Sequence, residues 1–292
     1  MKLLLTGTTG KVGGYLARHW MERWTVSALT RARVDLTAGD DLRSFLREEE
    51  FDCLINPAAV STPEACEAEP ELAERVNVIA PRIMAEVCAE KGVPFIHLST
   101  DYVLDGSQPG LKAETAPAEP THTYGQTKLA GERAVLEAYP QALVARVSWV
   151  FASEGEAFLE KIVRLTRAGS PLEAVADKFS MPTSAPELAA ALEHLLARQA
   201  SGLIHLTQSS AEPVSWHRYA EEVVDALYST GTAIDLPAAR PEVVARRMAD
   251  IPVLRTNRPV HTAMKPARLT EEFGFAMRDW KTAVRERVAD LT

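Results

Sequence analysis

A chain of 292 residues, 46% hydrophobic and 25% charged, is long enough to bury a sizeable core without disulfide or metal staples. Its net charge of −8 argues against a nucleic-acid or anionic-membrane surface, since both favour basic patches. Three cysteines (Cys53, Cys66, Cys88) without CxxC spacing, no leader-like start and no apolar run of roughly 18 residues give the cytoplasm as the expected location.

KLLLTG is a short apolar run ending in glycine, the pattern of a buried parallel strand. KVGGYLARHWMERW places Val12, Leu16, Trp20 and Trp24 near one helical face. TVSAL predicts a second strand and ARVDLT a short third, before a helix through Leu42, Phe45 and Leu46 capped by Asp40 or Asp41. DCLINPAA reads as a fourth strand and PELAERVNVIAPRIMAEVCAEKGV as one long amphipathic helix despite Pro81. PFIHLSTDYV is the fifth strand, TYGQTKLAGERAVLEAY a helix and ALVARVSWVF the sixth strand. This alternation predicts βαβ units and an α/β fold with a doubly wound, Rossmann-type parallel sheet.

Beyond about residue 150 the rhythm loosens. FLEKIVRLTRA and APELAAALEHLLAR read as helices, GLIHLT as a strand, SWHRYAEEVVDAL as a helix capped by Ser215, and residues 232–266 as mostly irregular. The expected organisation is a dinucleotide-binding domain over residues 1–150, to which later segments can return, and a smaller substrate lobe drawn mainly from residues 151–292.

TGTTGKVGG falls between the first strand and the first helix, with Gly7, Gly10 and Gly13 spaced GxxGxxG. Glycines there allow a tight turn and close approach of a pyrophosphate to the helix N-terminus. Glycine spacing alone is weak evidence; the strand before and the helix after supply the needed context. At the end of the second strand an acid usually holds the adenosine 2′-hydroxyl, but SALTRARVDL has Thr30 and Arg31, followed by Arg33. A guanidinium suits a 2′-phosphate, so NADPH is favoured and NADH left open.

THTYGQTKLAGE sets Tyr124 and Lys128 one helical turn apart. An isolated tyrosine titrates near pH ~10, and a neighbouring ammonium would stabilise its phenolate. A lone YxxxK match is weak. Its place after the fifth strand, with Ser99 and Thr100 at that strand's carboxyl end, makes a proton-donor reading the stronger one. His122 reads as an exposed loop residue. The histidines show no HxxxH or HExxH spacing, so no metal site is expected, and no GxSxG elbow supports hydrolase chemistry.

GTTGKVG, NPAA, STDYV and YGQTK resemble the extended short-chain dehydrogenase/reductase superfamily. DLTAGDDL, NPAAVSTPEACEAEPELAERVN, STDYVLDG, YGQTKLAGE, ARVSWVF, VADKFSMPTSAPELA and RPVHTAMKPARL narrow the resemblance to the dTDP-4-dehydrorhamnose reductases, over nearly the whole chain. It implies NADPH-dependent reduction of a 4-keto nucleotide-deoxysugar, dTDP-4-dehydrorhamnose to dTDP-rhamnose. Thr100, Tyr124 and Lys128 are the implied catalytic trio. Implied cofactor contacts are Gly7, Thr9, Gly10, Lys11, Val12, Gly13, Arg31, Asp35, Leu36, Ala58 and Ala59, with Tyr124 and Lys128; Asp101 and Trp149 would face substrate.

Leu104 replaces a common aromatic, Lys178-Phe179-Ser180-Met181 stand where the family often has a glutamine and a glycine, and RPVHTAMKPARL is looser than usual. Two other readings stay open. One is a nucleotide-sugar epimerase or dehydratase, the other a non-catalytic NADP-binding subunit resembling the regulatory subunit of methionine adenosyltransferase. A nucleotide sugar is the expected partner, and a homodimer is left open.

Overall fold

Strand β1 (Lys2–Thr6) buries Leu3, Leu4 and Leu5 completely, so it can lie only inside a sheet covered on both faces. Leu3 and Leu5 pack with Leu16 and Trp20 of α1 (Lys11–Met21) on one face, and Leu4 joins the core of the other. Next come β2 (Thr25–Leu29), α2 (Gly39–Glu48), β3 (Cys53–Asn56), α3 (Pro63–Ala68), α4 (Pro70–Glu74) and α5 (Ala80–Lys91). β4 (Phe95–Thr100), α6 (Thr123–Ala138) and β5 (Leu143–Val147) complete the first half. The computed structural model describes residues 1–152, 155–229, 236–251, 254 and 258–291.

ARVDLT forms no strand. The Thr30 carbonyl accepts from the N–H groups of Arg33 and Val34, and the Asp35 side chain accepts from Thr37 N at 2.8 Å, so local turns take the bonds a ladder would need. Nor do Asp40 and Asp41 cap α2: its N-cap is Ala38, and both acids lie in the first turn, where they complement the helix dipole. The long helix expected across Pro81 is continuous from Pro70 to Lys91, running as α4, a π-turn at Arg75–Ile79, and α5. In the π-turn Ala80 N reaches back to Arg75 O, which lets proline follow without breaking the rod.

The second half contains β6 (Val150–Phe151), α7 (Phe158–Arg167), β7 (Leu172–Val175), β8 (Phe179–Ser180), β9 (Thr183–Ser184), α8 (Ala185–Ala197) and β10 (Gly202–His205). β11 (Val214–Ser215), α9 (Trp216–Ser229), β12 (Val243–Arg246), α10 (Ala267–Glu271) and α11 (Trp280–Asp290) follow. β12 lies within the stretch read as irregular and pairs in parallel with β7. Ser215 caps α9 as expected, its hydroxyl accepting from Arg218 N at 3.1 Å.

The main sheet runs β10-β5-β4-β3-β1-β2, every pairing parallel. β10 and α8 therefore return to the first half, and Trp20 on α1 donates its Nε1 to Glu193 on α8 at 2.9 Å. The rest of the second half builds its own core from α7, α9, α11 and the small strands, around Tyr219, Val223 and Trp280. Among the described residues no helix is long and apolar enough to cross a membrane.

Candidate active site

Strand order reverses between β1 and β3, and such a reversal opens a crevice at the strands' carboxyl ends. A cavity of about 810 Å³ lies there. Gly7 has φ +59°, and a Cβ on Gly13 would come within 2.3 Å of the Gly7 carbonyl oxygen, so the turn closes only with glycine at both places. Gly10 is the N-cap of α1 and brings no side chain, which leaves the first helical N–H groups without a side-chain acceptor. This is a cradle of the kind a pyrophosphate fills.

Thr9, Lys11 and Val12 continue the wall, with Lys11 Nζ donating to Glu156 O at 2.6 Å. Ala58 and Ala59 form the opposite wall. Ala58 N donates to Thr6 Oγ1 and Asn56 Oδ1, both at 3.2 Å, and so pins the chain after β3 beside Gly7.

Arg31, Asp35 and Leu36 line one end of the cavity. Arg33 is committed elsewhere, to Glu49 at 2.8 Å and over the Phe45 ring at 4.8 Å. Arg31 is exposed and forms no ion pair among the described residues. Asp35 accepts from both Thr37 N and Thr37 Oγ1 at 2.8 Å, bonds that hold its carboxyl below the usual range. A glycine cradle with an exposed guanidinium near one end fits a dinucleotide carrying a 2′-phosphate.

Thr100 ends β4 and Tyr124 begins α6, and both line the cavity. His122 is no exposed loop residue: it is buried and caps α6, its Nδ1 accepting from Gly125 N at 3.0 Å while its ring stacks on Tyr124. Ser99 also lines the cavity, but its hydroxyl is engaged. Its hydroxyl donates to Glu132 at 2.5 Å, and Arg146 grips the same carboxylate through two bonds of 2.8 and 2.7 Å, fixing α6 on the sheet. Burial pushes the Tyr124 phenol up; contact with Thr100 opposes this and the Asp101 carboxylate adds to it. The phenol therefore keeps its proton at neutral pH.

Lys128 differs from the sequence expectation. Its Nζ donates to Leu98 O at 2.7 Å and lies 3.2 Å from His97 Nε2, behind the cavity wall and off the cavity lining. Burial lowers this ammonium to about 8. The helical spacing put both residues on one face, but the sheet beneath captured the longer side chain.

Trp149 breaks the expected sixth strand: its φ of +43° is strained for a non-glycine residue and separates β5 from β6. It lines the cavity, its ring lies parallel to Tyr219 at 6.3 Å, and its buried Nε1 has no hydrogen-bond partner among the described residues. Asp101 also borders the cavity, but its Oδ2 accepts from Ser180 Oγ at 2.7 Å and from Thr262 Oγ1. Sequence reasoning did not single out Arg258, which lines the cavity and donates to Tyr102 Oη at 3.2 Å and Glu64 Oε1 at 2.5 Å. Only its place in the late RPVHTAMKPARL motif could have drawn attention to it, since 134 positions separate it from Tyr124.

Over residues 1–292 the chain matches the family described as the RmlD substrate binding domain. It is 34% identical to the dTDP-4-dehydrorhamnose reductase of Burkholderia thailandensis, across 100% of this chain and 99% of that protein. The crystal structure of a dTDP-4-dehydrorhamnose reductase from Clostridium acetobutylicum is similar with a TM-score of 0.87 at 26% identity, covering 100% of this chain and 99% of that one. A Bacillus anthracis protein of the same name, solved in complex with NADP, gives a TM-score of 0.88 at 23% identity over 100% and 99% of the two chains, a likeness of fold.

Proposed function

We propose that this chain, which belongs to the dTDP-4-dehydrorhamnose reductase family, reduces dTDP-4-dehydrorhamnose to dTDP-rhamnose with NADPH. The observation that carries the reading is the meeting of the Gly7–Gly13 cradle, Thr100 and the protonated Tyr124 phenol in one cavity. NADPH, when bound, supplies the hydride. The cradle would hold its pyrophosphate, Arg31 its 2′-phosphate, and Leu36, Ala58 and Ala59 would flank it.

Tyr124 gives its proton to the oxygen that becomes the sugar hydroxyl, and Thr100 orients that oxygen. Lys128 serves as a positive charge beneath the site, favouring the phenolate left after proton transfer. Trp149, held in its strained turn with an Nε1 that has no partner among the described residues, would pack on the sugar, and the lobe drawn mainly from residues 151–292 would enclose the nucleotide. A homodimer is part of the proposal and is read by light scattering.

The reading is tested by NADPH oxidation across dTDP-4-dehydro sugars with wild type and Tyr124→Phe. Turnover by wild type and a loss of about 10²-fold or more in the variant are expected. Equal rates for the two proteins would remove Tyr124 from the chemistry. No consumption with any sugar, together with a copurifying partner enzyme, would replace the reductase by a binding subunit.

A further inference from the structure

Behind Thr100 lies a polar cluster that this reduction leaves unused. Lys178, wholly buried just before β8, donates to Thr262 Oγ1 at 2.6 Å and sits 5.1 Å from the centre of the Tyr102 ring. Thr262 Oγ1 donates in turn to Asp101 Oδ2, which lies 4.0 Å from the Lys178 ammonium. The other carboxylate oxygen accepts from Thr100 Oγ1 at 3.3 Å. Every proton in this chain points at Asp101, which is only 3% exposed and would be an uncompensated buried charge without the lysine. Thr100 has one hydroxyl proton, and Asp101 competes for it with any oxygen in the cavity.

We propose that Lys178 is a positioning residue for the reduction: it neutralises Asp101 from behind, loosens that carboxylate's hold on the Thr100 proton, and frees the hydroxyl for the reacting oxygen. The inference rests on the reductase reading above. The same neutralisation helps Tyr124, because a bare Asp101 charge opposes formation of phenolate. Arg258 and His261 also face Lys178, but neither hydrogen-bonds Asp101 among the described residues. Lys178 opens the Lys178-Phe179-Ser180-Met181 stretch, where the sequence departs from the pattern its family resemblance implies.

Lys178→Gln keeps a donor toward Thr262 and removes the charge; Lys178→Met removes both. With folding checked by circular dichroism, each should lower kcat with NADPH and dTDP-4-dehydrorhamnose by roughly tenfold or more, and KM and NADPH affinity by far less. Adding Asp101→Asn to Lys178→Met should recover part of the lost kcat, whereas a merely structural pair would show no recovery. Wild-type kcat in Lys178→Met, or losses that simply add in the double variant, overturn the proposal. The pairing is also read without substrate, so its failure is separable from failure of the reductase reading. The Lys178 13Cε resonance should titrate near about 8 and lower in Asp101→Asn, and an unchanged midpoint overturns the proposal whatever the enzyme reduces.

Discussion

Tyr124 and Lys128 divide the acid–base work through burial. Burial raises a neutral phenol's pKa and lowers an ammonium's, because in both cases it disfavours the charged form. The phenol is thus a protonated donor throughout the neutral range, while Lys128 and Lys178 both lose their charge near about 8. The charges that favour the phenolate are present below that pH and absent above it. The rate of reduction, measured as kcat against pH, should therefore fall as pH rises through that value; a rate level well beyond it would contradict the account. The YxxxK spacing made Tyr124 legible in the sequence. It could not reveal that Leu98 O and His97 hold Lys128 behind the wall, because those partners belong to a strand 30 residues earlier.

The helix that carries the proton donor owes its place to close backbone packing. A Cβ on Gly131 of α6 would lie 2.1 Å from the Asn77 carbonyl oxygen in the π-turn. Gly131→Ala must push α6 away from that turn, and a loss of about 1–3 kcal/mol in urea unfolding is expected, with lower kcat. Unchanged stability would mean the contact is slack. Gly13→Ala acts on the cradle instead: its Cβ meets the Gly7 backbone, so NADPH affinity measured by calorimetry should fall sharply. Near-wild-type affinity would count against the cradle. At this scale the sequence was readable wherever apolar periodicity dominated, as in β1 and α1. It misled where side chains offered the backbone other partners, as Asp35 and Thr37 do in ARVDLT, and it held across Pro81, though it gave no sign of the π-turn there.

Across the whole molecule, buried neutral histidines tie the strands to the site. His205 on β10 is held down to about 3 by burial, and His97 on β4 is lowered well below its ordinary value for the same reason. As pH falls from the ordinary histidine range toward these folded values, the unfolded chain binds protons the folded chain refuses, so stability must decline. Each such histidine contributes a slope of about 1.4 kcal/mol per pH unit in that window. Thermal unfolding across mildly acid pH should show the decline, and His205→Gln should flatten it if the fold tolerates the change. A melting temperature constant over that range would contradict the assignment. The return of α8 and β10 to the main sheet was foreshadowed only as an open option, since a short strand such as GLIHLT carries no mark of which sheet it will join.

The central claim is that a hydride and the Tyr124 proton are delivered to one sugar carbonyl in this cleft. It is tested most directly by a single turnover with NADPH deuterated at the transferring position. The account predicts a product in which the former keto carbon carries one deuterium, formed by wild type and formed far more slowly by Tyr124→Phe. Deuterium retained on the cofactor while substrate is otherwise converted, or equal transfer rates in the two proteins, would contradict it.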